Sequence, residues 1–186
     1  MRIFTVLLFV FIAQTELQSQ SICENNFAGG IYPCDGYDLF FYFPLEEIGG
    51  GEKGNDCCGW THEPSGREFA VFCRSNGTAF VEITNPLQPL YLSELPTETE
   101  ESIWRDVKVV GDYALIVSEA DEHGMQVFDL NGLTSIDPDV INTPIVMEAS
   151  AHYSGFGSCH NIAVNEDSQD AFAVGAYKWL DNLNSV

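Results

Sequence analysis

The chain repeats a pattern of short strands, and that repeat restricts its possible folds more than any other feature. "GREFAVFCRSNGTAFVEIT" aligns with "GDYALIVSEADEHGMQVFDLN": Gly77 falls on Gly124, Phe80 and Val81 on Val127 and Phe128, and Glu82 on Asp129. Upstream, Phe69 and Ala70 match Tyr113 and Ala114, so the later unit carries a longer loop. "NIAVNEDSQDAFAVGA" opens a third unit in the manner of "DVKVVGDYALIVSEA". A unit of about 40–50 residues built of short strands cannot bury both its faces alone, so neighbouring units must stack. The expected fold is all-β with β-propeller-type repeats: about two complete blades and part of a third. Propellers carry at least about four blades. On that count the chain is expected to be a fragment of a larger propeller, a truncated gene model or a splice form.

Strands are expected over 68–73, 79–84, 106–110, 113–118, 125–130, 161–165 and 171–176. Each is rich in β-branched or aromatic residues and bounded by Gly, Asn, Asp or Pro. No stretch of a dozen residues carries a helical stripe. The first 20 residues read as a signal peptide: Arg2, an apolar run from Ile3 to Ala13 too short to span a bilayer, then a polar stretch with small residues. Residues 21–54 form a segment containing Gly and Cys that leads into the propeller, 55–176 hold the repeats, and 177–186 are a divergent tail.

These features place the protein in the secreted, extracellular compartment, with no integral membrane segment once the signal is removed. The net charge of -21 at pH 7 repels phosphates and anionic lipid, so nucleic acid is a poor partner. It suits solubility, cations or basic proteins. All six cysteines lie beyond the signal, where an oxidising compartment favours disulfides. Cys23 and Cys34, flanking a short Gly-rich segment, are the preferred local pair. Cys57 and Cys58 are adjacent and cannot bridge each other without distorting the peptide between them. Asn76, in "SNGT", is an N-glycosylation acceptor sequon on a turn.

Four stretches resemble a known family: "CDGYDLFFYFPLEEIGGGEKGND…GW", "NGTAFVEITNPLQPLYLSELPT", "SIWRDVKVVGDYALIVSEADEHGMQVFDL" and "AHYSGFGSCHNIAVNED". They are similar to the choice-of-anchor B proteins, secreted or surface-displayed β-propellers of LVIVD repeats, with "ALIVSE" standing for the repeat core. The resemblance runs from Cys23 to Ala176. It implies fold and compartment, and little chemistry. One departure is the pair Cys57-Cys58 before Gly59-Trp60, where the family shows an apolar residue and Trp.

A polar pair opens each unit: Asn55-Asp56, Arg105-Asp106 and His160-Asn161. First strands of propeller blades line the central channel, so these six residues would gather at its mouth as a binding site for a cation, a peptide or a glycan. The alternative is that they cap loop backbone and bond the neighbouring blade. Glu119, Asp121, Glu122 and His123 share one loop. Glu119, His123, His152 and His160 are candidate ligands for Ca²⁺ or another divalent cation; the alternative is a solvated acidic turn. No other cofactor is implied. Cys159 and His160 are a poor nucleophile pair, because neighbours on a strand point to opposite faces. A nucleophile elbow and a phosphate-binding loop are both absent from the sequence. Trp60, Trp104, Phe40, Phe41, Tyr42 and Phe43 either form a sugar-stacking platform or, as Trp60 and Trp104 at matching positions favour, core between blades.

The function expected on this basis is a secreted or cell-surface module that binds an extracellular protein or glycan, with no evident catalytic set. Two alternatives stand beside it. One is a metal-dependent extracytoplasmic hydrolase using Asp56, Asp106, Glu119, His123 and His160; the other is a nonfunctional truncated gene product.

Overall fold

The computed structural model describes residues 20–139 and 143–177. All but Gln20 of the signal peptide expected over the first 20 residues, and all but Tyr177 of the tail expected over 177–186, lie outside the described residues. The chain divides into two units, Met1–Phe40 and Phe41–Val186.

In the first unit β1 (Cys23–Glu24), β2 (Phe27–Ala28) and β3 (Tyr32–Pro33) form a three-stranded antiparallel sheet. Of the described residues here, only Ala28 is a buried apolar side chain. So small a core needs a covalent staple, and the predicted Cys23–Cys34 disulfide supplies it, with the two Cα atoms 5.9 Å apart.

The second unit is all-β. A 3-10 turn, Leu45–Ile48, precedes four consecutive antiparallel strands: β4 (Gly54–His62), β5 (Arg67–Arg74), β6 (Gly77–Glu82) and β7 (Leu90–Pro96). A second sheet follows in the same manner with β8 (Arg105–Val110), β9 (Tyr113–Ser118) and β10 (Met125–Asp129). After the single helical turn α1 (Asn131–Thr134), β11 (Ile145–Val146) returns to the first sheet and pairs parallel with β7. β12 (Ala151–Tyr153) then completes the second sheet beside β10. β13 (Asn161–Asn165) and β14 (Asp170–Val174) form a two-stranded third sheet. None of the sheets closes on itself.

The three sheets stack in chain order, because alternate residues of each strand supply opposite faces. Between the first and second sheets lies the main core, with Trp60, Phe69, Val71, Phe80, Val107, Ile116 and Phe128; the Phe80 and Phe128 rings stack at 4.4 Å. Leu115 and Val117 of the second sheet pack on Cys159 and Ile162 next to and within the third. On the outer face of the first sheet, Phe43, Leu45 and Ile48 cover Ala79 and Val81. Residues from 43 onward thus pack with the repeats, although the sequence grouped them with the leading segment.

The seven expected strands all form, with ends shifted by at most two residues. Four cysteines remain free thiols: Cys57 exposed, Cys58 half-buried, Cys73 and Cys159 buried. The expectation of wider disulfide pairing is corrected accordingly. Cys57 and Cys58 sit opposite Phe72 and Val71 of β5. Cys58 therefore faces the core and Cys57 the solvent, which settles how a double cysteine fits this strand. A thiol reagent under native conditions is expected to modify one fast cysteine, and Cys57→Ser is expected to abolish that fast phase in a stopped-flow trace. A fast phase that survives Cys57→Ser would show that Cys58, Cys73 or Cys159 is open to solvent.

Candidate functional site

The opening strands β4, β8 and β13 lie side by side, and this alone brings the three predicted polar pairs together. They do not do one job. Asp56 Oδ2 accepts the Val107 N–H at 3.2 Å, and Asp106 Oδ2 accepts the Ile162 N–H at 2.7 Å. Each aspartate thus reaches from its own sheet to the residue that follows the equivalent polar position in the next sheet. Lys108 Nζ ties the two together, donating to Asp56 Oδ2 and Asp106 Oδ1, both at 2.7 Å, and to the Val107 carbonyl at 2.9 Å. Burial would raise the Asp106 carboxyl, but the Lys108 ammonium and the Ile162 N–H, both donating to it, outweigh burial and hold the group at about 2. These two carboxylates are bonds between sheets.

Arg105 points the other way, into the boundary between the first and second sheets, where it is 2% exposed. Its Nη1 donates to Thr97 Oγ1 at 2.7 Å, while Gln126 Nε2 donates to the neighbouring Pro96 carbonyl at 3.0 Å. His123, fully buried, belongs to the same polar layer. Its Nδ1 lies 3.1 Å from the Gly124 carbonyl, so the N–H is on Nδ1 and Nε2 carries the lone pair. Burial, aided by the Arg105 charge, pulls the imidazole down to about 4. Cys73 abuts this layer, and burial pushes its thiol up to about 11 despite Arg105 and Thr78. Neither group is poised for nucleophilic or acid–base work near neutral pH.

The solvent-facing part of the predicted mouth is smaller. His160 Nδ1 pairs with a Glu119 carboxylate oxygen, and the His160 ring lies 6.4 Å from the Trp104 indole. The Trp104 carbonyl accepts the Glu119 N–H at 3.0 Å, which sets the two backbones side by side. Asn55 Nδ2 donates to the Ile103 carbonyl, one residue before Trp104. Asn161, at the head of β13, is exposed. Trp104 itself is 53% exposed. The reading of Trp104 as core is corrected: it precedes β8, whereas Trp60 lies inside β4 and is buried, its Nε1 donating to Asp112. Phe40 and Tyr42 are exposed as well, and Phe41 packs on Phe43 at 4.7 Å.

The four candidate metal ligands form two separate pairs. Glu119 bonds His160, and His152 Nε2 lies 2.7 Å from the His123 carbonyl. Among the described residues no three His, Cys, Asp or Glu side chains are grouped to hold a metal ion. Burial raises the Cys159 thiol, and its Sγ lies 3.1 Å from the Asn161 carbonyl. The sequon residue Asn76 is half-buried, with Nδ2 donating to the Gly49 carbonyl at 3.0 Å. Sequence reasoning missed Lys108, although its place two residues after Asp106 on one strand puts both side chains on the same face. No helix of the described residues is long and apolar enough to cross a membrane. No family model, curated protein or solved structure matches the chain.

Proposed function

We propose that the chain is a secreted, propeller-type module of the LVIVD-repeat, choice-of-anchor B kind that binds an extracellular glycan at the mouth formed by Trp104, Glu119, His160 and Asn55. The observation that carries the reading is the exposed Trp104 indole, held beside the Glu119–His160 pair where β8 and β13 begin. An exposed indole offers an apolar face to the C–H face of a sugar ring, and the carboxylate and imidazole beside it take the ring hydroxyls. The strands beside Trp104 and His160, β8 and β13, are joined by Asp106, whose Oδ2 accepts the Ile162 N–H.

Three sheets in chain order, with adjacent opening strands and the same aspartate bond between successive sheets, support the propeller-type reading. The Cys23–Cys34 disulfide and the acidic composition support an extracellular one. Trp104→Ala is expected to weaken binding to any glycan retained on an array by about tenfold or more. The thermal midpoint should stay close to that of the wild type, since Trp104 contributes little core. Unchanged glycan binding by Trp104→Ala, or an array without a single retained glycan, would sink the reading.

A further inference from the structure

Hairpin turns usually end in solvent, where loops and their tips lie. The turn between β5 and β6 does not: Ser75 is 1% exposed, and Thr78, which completes the Asn76 sequon, is fully buried. Two other segments cover the turn. From the loop 49–53, the Glu52 N–H donates to Ser75 Oγ at 2.7 Å, and the Lys53 carbonyl accepts the Ser75 N–H at 2.9 Å. The Gly49 carbonyl accepts from Asn76 Nδ2 at 3.0 Å. From the segment 97–102, the Thr97 N–H donates to the Asn76 carbonyl at 3.2 Å and the Ser102 N–H to the Ser75 carbonyl at 3.0 Å.

Glycine is what lets the loop 49–53 lie so close. Gly49 and Gly51 have φ of 96° and 98°, a backbone conformation that favours glycine. A Cβ on Gly49 would collide with the Arg74 guanidinium, and one on Gly51 would stand 2.9 Å from both Asn76 Oδ1 and Ser75 Oγ. The same loop lies against Arg74, which is 1% exposed and donates from Nη2 to Glu94 Oε2 at 2.7 Å. The Asn76 amide is therefore held at both ends, Nδ2 by Gly49 and the buried Oδ1 against Gly51.

N-glycosylation bonds the asparagine Nδ2 to C1 of a sugar, with loss of one amide proton and departure of the sugar's phosphate carrier. The sugar ring would have to stand where the loop passes, at a surface that does not admit one Cβ. We propose that the Asn76 sequon is closed by the fold: the loop 49–53 clasps the β5–β6 turn, Asn76 is its anchor, and the folded protein carries no glycan there. Gly49 precedes Asn76 by 27 residues, so the loop is already synthesised when the sequon appears. A chain glycosylated before folding cannot seat the loop, and it stays unfolded inside the cell.

Asn76 heads the chain's only N-x-S/T sequon, so any sugar removed by peptide-N-glycosidase reports on it. The full chain is expressed in a eukaryotic secretory cell, and intact mass is measured before and after that enzyme. The secreted wild type is expected to show the bare polypeptide mass. Gly51→Val, which forces the loop away, is expected to gain an enzyme-labile glycan in the secreted or the retained fraction. A folded, secreted wild type with a glycan on Asn76 overturns the proposal, and so does a Gly51→Val as bare as the wild type. Protein made in the bacterial periplasm, without glycan transfer, tests the anchor separately. There Asn76→Gln is expected to lower the thermal midpoint by about 3 °C or more. Thr78→Val removes the sequon and keeps the anchor, so it is expected to leave the midpoint no lower. Equal midpoints for the two variants would overturn the anchoring role and the proposal with it.

Discussion

Replacing Asp106 with alanine is expected to destabilise the second unit by about 3 kcal/mol, read as the shift in urea unfolding at pH 7. The side chain is 5% exposed and bonds two groups that have few other options. Its loss leaves the Ile162 N–H without an acceptor at a buried position, and leaves Lys108 with Asp56 as its remaining carboxylate. The same substitution at Asp56 should cost about 1 kcal/mol, because that carboxylate is 31% exposed and water replaces much of what is removed. Asp106→Asn separates the two bonds: the amide oxygen keeps Ile162 and gives up the charge on Lys108, so an intermediate loss is expected. Equal effects at positions 56 and 106 would mean that burial does not decide the strength of these links. Acid adds a second test. The Asp106 carboxyl sits at about 2 when folded and near 4 when unfolded, so its contribution is complete above about pH 4. It is lost as the pH falls from there towards 2.

How far the sequence could be read follows from what each strand depends on. β9, "YALIVS", is a short continuous apolar run and β13, "NIAVN", alternates Ile and Val with small or polar residues, and turn residues bound both, so their ends are legible. β4, "GNDCCGWTH", was not found: two glycines, an asparagine and an aspartate give it little local preference for extension. It is a strand because β5 pairs along it and Asp56 ties it to β8, and neither partner can be seen from within β4. β11 and β12 escaped for the same reason, being two and three residues long and made by pairing with distant strands.

The proximity of the three polar pairs was legible in the repeat, and their division of labour was not. The repeat brought Asn55, Asp56, Arg105, Asp106, His160 and Asn161 to one place, as the adjacent opening strands require. Which of them meets solvent depends on which sheet lies against each face, information that a polar pattern does not contain. Trp104 was matched to Trp60 by rank within the unit. Counted from the bonding aspartates, one lies two residues before Asp106 and the other four after Asp56, so they are not equivalent. Anchoring the repeat on those aspartates would have placed Trp104 ahead of β8 and apart from the buried Trp60.

Between pH 7 and pH 4 the protein is expected to lose about 3 kcal/mol of stability through one residue, His123. The ring is fully buried, its single N–H is committed to the Gly124 carbonyl, and the Arg105 guanidinium opposes any added positive charge. His152 is the other titratable group facing it. The folded imidazole takes its proton only at about 4, whereas the unfolded one takes it near 6.5. Below pH 6.5 the unfolded state therefore binds the extra proton and gains in population. The loss proceeds at about 1.4 kcal/mol per pH unit and levels off below pH 4, where the Asp106 contribution begins to fall. Urea unfolding of His123→Gln and the wild type at several pH values isolates the effect, because the other three histidines are common to both proteins. The variant starts lower at pH 7, having disturbed a packed layer, and its curve should be flatter towards pH 4.5. Parallel curves, or a His123 ring proton that titrates near pH 6 by NMR, would refute the buried neutral imidazole and with it the polar layer that joins the first two sheets.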